Sequence, residues 1–293
     1  MIGAFLDSAL AGCRWRPARH DAITAAMLSY QHAYHAGGAA DLHKHAALAV
    51  LLRLLTVKAR GISYLESHAG RALYDLAGVE ALKTREAAAG IGRLDQGSLP
   101  DPLAGAVAAV RAAHGPTAYP GSPAIAATML RAQDRLTLCE RHPAEHAALK
   151  AAMAGLARGD GPSVAIHARN GHEGLLALSP PKLRRGLALI DPSYEVKTEY
   201  AEVVATARAL LSRWAEAVLM VWYPILPDGR HGAMADTLGR LPRALRHEAM
   251  FVDPPSRGMV GSGIVIANPP YATALALSRG WDALDAVFEC RWV

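Results

Sequence analysis

An apolar run, Gly186-Leu187-Ala188-Leu189-Ile190, ends in Asp191-Pro192-Ser193-Tyr194. An acid, a proline carbonyl and an aromatic ring at this spacing suit methyl transfer to a planar exocyclic amine. Such an amine is a poor nucleophile, because its lone pair is delocalised into the ring, until acceptors draw on its two protons. Asp191 can hold one proton and the Pro192 carbonyl the other, while Tyr194 stacks on the ring and fixes its plane. The competing reading is an Asp that caps a helix with proline at the next position. A second tetrad, Asn268-Pro269-Pro270-Tyr271, carries a cleaner version of the pattern, but it follows the last strand read below and lies close to the end of the chain. It reads as a structural turn.

Ligands of open α/β sheets bind outside the carboxyl ends of the strands, so the other strand ends matter too. Glu66-Ser67-His68-Ala69-Gly70 is a small-residue turn that lets a ligand approach the backbone, although it lacks a full dinucleotide fingerprint. Glu140 closes another strand, where a carboxylate accepts both ribose hydroxyls of a nucleoside; a solvated surface acid is the alternative. Asn170-Gly171 recognises an adenine edge or simply forms a turn. His32, His35, His43 and His45 fit no strong metal-ligand spacing and have no cysteine beside them, so no metal is expected. Lys44 and His45, near a helix start, are placed to meet an anion. Lys182-Leu183-Arg184-Arg185 and Arg240, Arg243 and Arg246 suit phosphates or plain solvation.

The elements that position these residues alternate. Strands are read at 62–66, 136–140, 164–167, 187–191, 218–222, 249–252 and 264–267, with helices such as 144–156 and 200–214 between them. Such alternation predicts a seven-stranded, mostly parallel, doubly wound sheet. Apolar residues at spacings of three and four from Ala40 to Lys58 predict an amphipathic helix with Asp41 as its N-cap. An Ala-rich helical stretch between the first two strands is read as an inserted subdomain, about 78–126. Residues 1–26 form an N-terminal extension to a domain spanning 27–293. At 293 residues, 52% of them hydrophobic, the chain is long enough to bury about three quarters of its unfolded surface. Thirty-one Lys and Arg against 26 Asp and Glu give +5, which permits a polyanionic partner without requiring one. Three scattered cysteines support no disulfide framework, and a reduced, cytoplasmic setting fits best. No apolar run is long enough to span a bilayer. A lipoprotein-like box at Leu10-Ala11-Gly12-Cys13 lacks preceding basic residues, so no membrane association is expected.

Taken together, MLSYQHAYHAG with ADLHKH, YLESHAG, YPGSP, the acid of Leu138-Cys139-Glu140 with His142-Pro143, LALIDPSYEVKTEY, VWYP and GSGIVIANPP resemble the RlmJ-type 23S ribosomal RNA adenine-N(6) methyltransferase family from Met27 onward. The resemblance implies a class I (Rossmann-like) methyltransferase fold and S-adenosyl-L-methionine as methyl donor. It places His45, His68, Ser122, Glu140, Asn170, Gly171 and Asp191 around the cofactor, with Asp191, Pro192 and Tyr194 as the catalytic group. Tyr30 and Lys44, together with Tyr194, would meet the substrate. That substrate is expected to be 23S ribosomal RNA as protein-free or precursor RNA, methylated by a monomer. Three positions depart from the family pattern: Ser193 replaces a second proline, Asn170 an acid, and Gly38-Ala39 an Asn-His pair. DNA adenine, a protein amide, or an inactive RNA-binding protein of the same fold stay open as alternatives.

Overall fold

The computed structural model describes residues 31–292 apart from 95–97 and 158. Tyr30, Cys13 and the extension 1–26 lie outside the described residues. A helix, α1 (Ala39–Thr56), precedes the first strand, β1 (Ser63–Glu66). Between β1 and the next sheet strand come β2 (Leu73–Asp75), α2 (Val79–Thr84), α3 (Glu86–Ala89), a 3-10 turn (Ile91–Arg93), α4 (Leu103–His114), β3 (Ala118–Pro120) and α5 (Ser122–Met129). Then follow β4 (Arg135–Cys139), α6 (Pro143–Leu156), β5 (Ser163–His167), α7 (Gly171–Ala177), β6 (Gly186–Ile190) and α8 (Glu199–Arg213). The chain ends with β7 (Val218–Ile225), α9 (Gly232–Leu238), β8 (Leu245–Phe251), β9 (Gly261–Ala267), α10 (Thr273–Asp282) and β10 (Phe288–Trp292).

The main sheet has eight strands in the order β10-β8-β9-β7-β6-β1-β4-β5. Five of them, from β7 to β5, run parallel, and β9, β8 and β10 continue the sheet antiparallel. The sheet is therefore mostly parallel as expected, but it has one strand more than the seven read from the sequence. The extra strand is β10, which pairs with β8 alone. Its charged residues Glu289 and Arg291 hide it from a search for apolar runs. Their strict alternation with Phe288, Cys290 and Trp292 is the period-two signal that betrays an edge strand. A second two-stranded sheet, β2 with β3, interrupts the helices between β1 and β4.

Helices cover both faces. One layer holds α1, α4, α5, α6 and α10; the other holds α7, α8 and α9. The central strands β1, β6 and β7 are buried along their whole length, as strands covered on both faces must be. The amphipathic expectation for α1 is corrected: it is buried nearly all round, Asp41, His43, Lys44 and His45 included, because it is wedged between the sheet and α4, α5 and α10. Leu42, Leu48, Leu51 and Leu52 are each 0% exposed, and every such side chain contributes about 1.5–3 kcal/mol through removal from water. The N-cap is Gly38, and Asp41 instead sits in the first turn. Arg131 closes the far end by donating to the carbonyls of Thr56 and Lys58. Among the described residues no helix is long and apolar enough to cross a membrane.

Candidate active site

Register brings Glu66 level with Leu138 and Leu189, so the chain leaves β1, β4 and β6 side by side at their carboxyl ends. A cleft opens there, with about 1190 Å³ of non-protein space counted out to its mouth. His45, His68, Ser122, Glu140, Asn170, Gly171, Asp191, Pro192 and Lys44 all line it, so one cleft gathers residues scattered over about half the chain.

On the cofactor side, backbone groups hold Glu140. The N–H groups of Gly70 and His142 donate to its two carboxylate oxygens at 2.8 and 2.7 Å. Burial pushes its pKa up, opposed by those two donors. Gly70 takes φ +59, a left-handed turn that lets the β1 loop reach Glu140. His68 bonds Ser67 Oγ at 2.8 Å, and burial beside His172 pushes its pKa down to about 3, so its ring is neutral. Gly171 sits hard against this loop: a Cβ there would stand 2.0 Å from the Ser67 carbonyl oxygen. The Asn170 amide oxygen accepts from the Glu173 N–H and caps α7, so this oxygen is already engaged. Ser122 opens α5 and donates to Glu66, which also accepts from Tyr64 at 2.9 Å. Burial raises the Glu66 pKa to about 8. His45 bonds the Tyr119 hydroxyl at 2.9 Å, and burial holds it neutral with a pKa of about 3.

On the acceptor side a chain of charges runs into the cleft. Lys44 Nζ donates to Asp191 Oδ2 at 2.7 Å and lies 3.2 Å from Asp41 Oδ1. Asp41 Oδ2 in turn accepts from the Gly37 N–H at 3.0 Å and pairs with His32 Nε2 at 2.9 Å. Burial alone would neutralise both Lys44 and Asp41. The attraction of Asp191 and Asp41 nonetheless raises the lysine, and that of His32 and Lys44 holds Asp41 well below the carboxylate range. Asp191 N–H donates to Ser67 Oγ at 3.3 Å, which ties the β6 loop to the β1 loop.

Tyr194 departs from expectation. Its ring is 4% exposed, outside the cleft lining, and its hydroxyl donates to the Trp222 carbonyl at 2.7 Å. It packs on Tyr200 and Trp222, with ring centroids 4.8 and 6.1 Å away. In this conformation the tyrosine therefore props the loop from beneath and presents no face to a base, because an aromatic ring with one hydroxyl is best satisfied in an apolar core with a single carbonyl acceptor.

Several cleft residues escaped the sequence reading: His32, Asp41, Glu199 and Trp222. Two charges three residues apart inside an apolar helical run, Asp41 and Lys44, were the available signal. Among the described residues no group of acids, histidines and cysteines is arranged to hold a metal.

Comparison with known proteins places the chain among relatives of one name. The chain is 38% identical over 253 residues to ribosomal RNA large subunit methyltransferase J of Haemophilus influenzae, covering 84% of this chain and 88% of that protein. It is 35% identical over 252 residues to the protein of the same name from Escherichia coli, with the same coverage. Among solved structures, protein LPL1258 from Legionella pneumophila str. Philadelphia 1 superposes with a TM-score of 0.78 at 32% identity, covering 88% of this chain and 97% of that one. Residues 59–285 match the family described as ribosomal RNA large subunit methyltransferase D, RlmJ, and the chain belongs to that family.

Proposed function

We propose that the protein methylates the 6-amino group of one adenine in 23S ribosomal RNA, using S-adenosylmethionine, and that it does so as a cytoplasmic monomer on protein-free or precursor RNA. The observation that carries this reading is the placement of Asp191-Pro192 at the end of β6, in one cleft with Glu140 and His68. Family membership supports RNA as the polymer.

The residues present fit the donor. Glu140, fixed by two backbone donors, retains lone pairs for ribose hydroxyls, and the Cβ-free approach of Gly171 to Ser67 leaves a flat backbone wall for a planar base. His68, Ser122, His45 and the Asn170-Gly171 turn complete the surround. When bound, S-adenosylmethionine supplies a methyl group made electrophilic by its sulfonium. The chain's own part is to prepare the nucleophile. Lys44 occupies Asp191 Oδ2, which leaves Oδ1 to accept one amine proton while the Pro192 carbonyl accepts the other. As the amine nitrogen gives up its lone pair it gains positive charge, and the Asp191 carboxylate stabilises that charge and draws off the proton. A base reaches this depth only when swung out of its stack.

Incubating the protein with labelled donor and, separately, protein-free 23S RNA, 16S RNA and duplex DNA tests the proposal. Nuclease digestion of the 23S RNA is expected to yield N6-methyladenosine at a single site. Label in DNA alone, or in another nucleoside, would sink it.

A further inference from the structure

The acceptors named above account for the two protons of the amine, but not for the ring nitrogen beside it, which needs a donor. Glu199 stands at the start of α8, eight residues after Asp191, and lines the same cleft as Asp191, Pro192, Ser193 and Trp222. It is only 3% exposed, and its Oε2 has no hydrogen-bond partner in the protein. A buried carboxyl oxygen with no partner is costly, and one that lines a cleft is placed for a ligand to complete it. We propose that Glu199 is a base-reading residue of the acceptor subsite, whose carboxyl donates to the ring nitrogen next to the amine that Asp191 and Pro192 hold. The inference rests on the adenine reading above.

Donation requires the neutral acid. Burial pushes the Glu199 pKa up to about 7, against the backbone N–H groups of Val196 and Tyr194 and with the help of the like charges of Glu202 and Glu195. Both forms are therefore populated near neutrality. A neutral carboxyl suits adenine, whose ring nitrogen beside the amine is an acceptor. It also disfavours guanine, which presents an N–H and a carbonyl at the corresponding positions. Lys44 is already committed to Asp191 and Asp41, which leaves the Ser193 hydroxyl as the rival donor on the same loop.

Three variants decide between them, measured as kcat and KM on protein-free 23S RNA, with thermal melting and calorimetry of S-adenosylhomocysteine as controls. Glu199→Ala is expected to lower kcat/KM about 10- to 100-fold, as expected for one lost hydrogen bond to a buried group, with cofactor affinity and melting temperature unchanged. Glu199→Gln, whose amide keeps a donor, is expected to restore most of that loss. Ser193→Ala is expected to change kcat/KM less than Glu199→Ala does. The proposal is overturned if Glu199→Ala turns over normally, if its loss follows cofactor affinity or melting, if glutamine fails to rescue, or if Ser193→Ala carries the larger defect. Wild-type protein that leaves 23S RNA unmodified overturns the adenine reading and this inference together, whereas normal turnover by Glu199→Ala overturns this inference alone.

Discussion

The two tetrads, Asp191-Pro192-Ser193-Tyr194 and Asn268-Pro269-Pro270-Tyr271, carry nearly the same sequence pattern in opposite settings. The first follows a parallel strand and opens into the cleft. The second follows β9, which runs antiparallel to β7 and places Ala267 beside Leu219, near the amino end of that strand. Asn268 has φ +51, and its side chain is occupied by the protein: Nδ2 donates to the carbonyls of Ala215 and Ala217, and Oδ1 accepts from Arg243. Tyr271 is 98% exposed, whereas Tyr194 is 4% exposed. The better pattern is the one whose amide hydrogens are both spent on the protein's own carbonyls. What makes such a tetrad a candidate site is strand direction and the neighbours that direction supplies, and the four letters alone do not decide it.

The sharpest test of this contrast is a pair of substitutions. Asp191→Ala is expected to reduce methylation of 23S RNA by roughly 10²–10⁴-fold or more, the range of a lost acid–base group, while S-adenosylhomocysteine still binds by calorimetry. Asn268→Ala is expected to leave turnover within twofold. A catalytic defect in the second variant at normal stability would erase the distinction.

The ion chain beside the first tetrad has no counterpart at the second. Lys44→Met removes the partner of the buried Asp41 and the half-buried Asp191, and is expected to cost about 3–5 kcal/mol of unfolding free energy along with most of the activity. Denaturant melts and single-turnover rates check both. Gly171→Ala drives a Cβ into the Ser67 carbonyl, so it is expected to cost about 1–3 kcal/mol and to weaken cofactor binding more than RNA binding. Competition calorimetry separates the two.

A last test, read in stability alone, concerns Glu66 under the cofactor side. Its folded pKa of about 8 lies above the unfolded carboxyl value near 4.3. Its contribution to stability is therefore complete below about pH 4 and is lost as pH rises toward 8. Glu66→Gln stays neutral throughout, so its melting temperature relative to wild type is expected to climb from pH 5 to 8.5. A flat difference across that interval would assign the carboxyl no such cost.

The sheet was largely legible in the sequence because the central strands β6 and β7 are continuous apolar runs, as burial on both faces produces. Strand ends pointed to Glu66, Glu140, Asn170 and Asp191, since topology alone places ligands there. Other features were not legible because they depend on neighbours far away in the chain. Asp41 reads as a helix cap until Lys44 and His32 are seen beside it. Tyr194 reads as a stacking ring until the Trp222 carbonyl claims its hydroxyl. The edge strand β10 was missed by searching for apolar runs where alternation was the informative signal.

Lys44 and Asp191 are separated by 147 residues, and His43, one position earlier on α1, bonds Ser262 at a separation of 219. The earliest described helix is thus completed by one of the last strands. The contacts of α1 with β9 cannot form until β9 has been made, and contacts so distant in sequence order slowly. A truncation that removes β9 is expected to strip α1 of one of the surfaces it packs on, beside α4, α5, α10, β6 and β7.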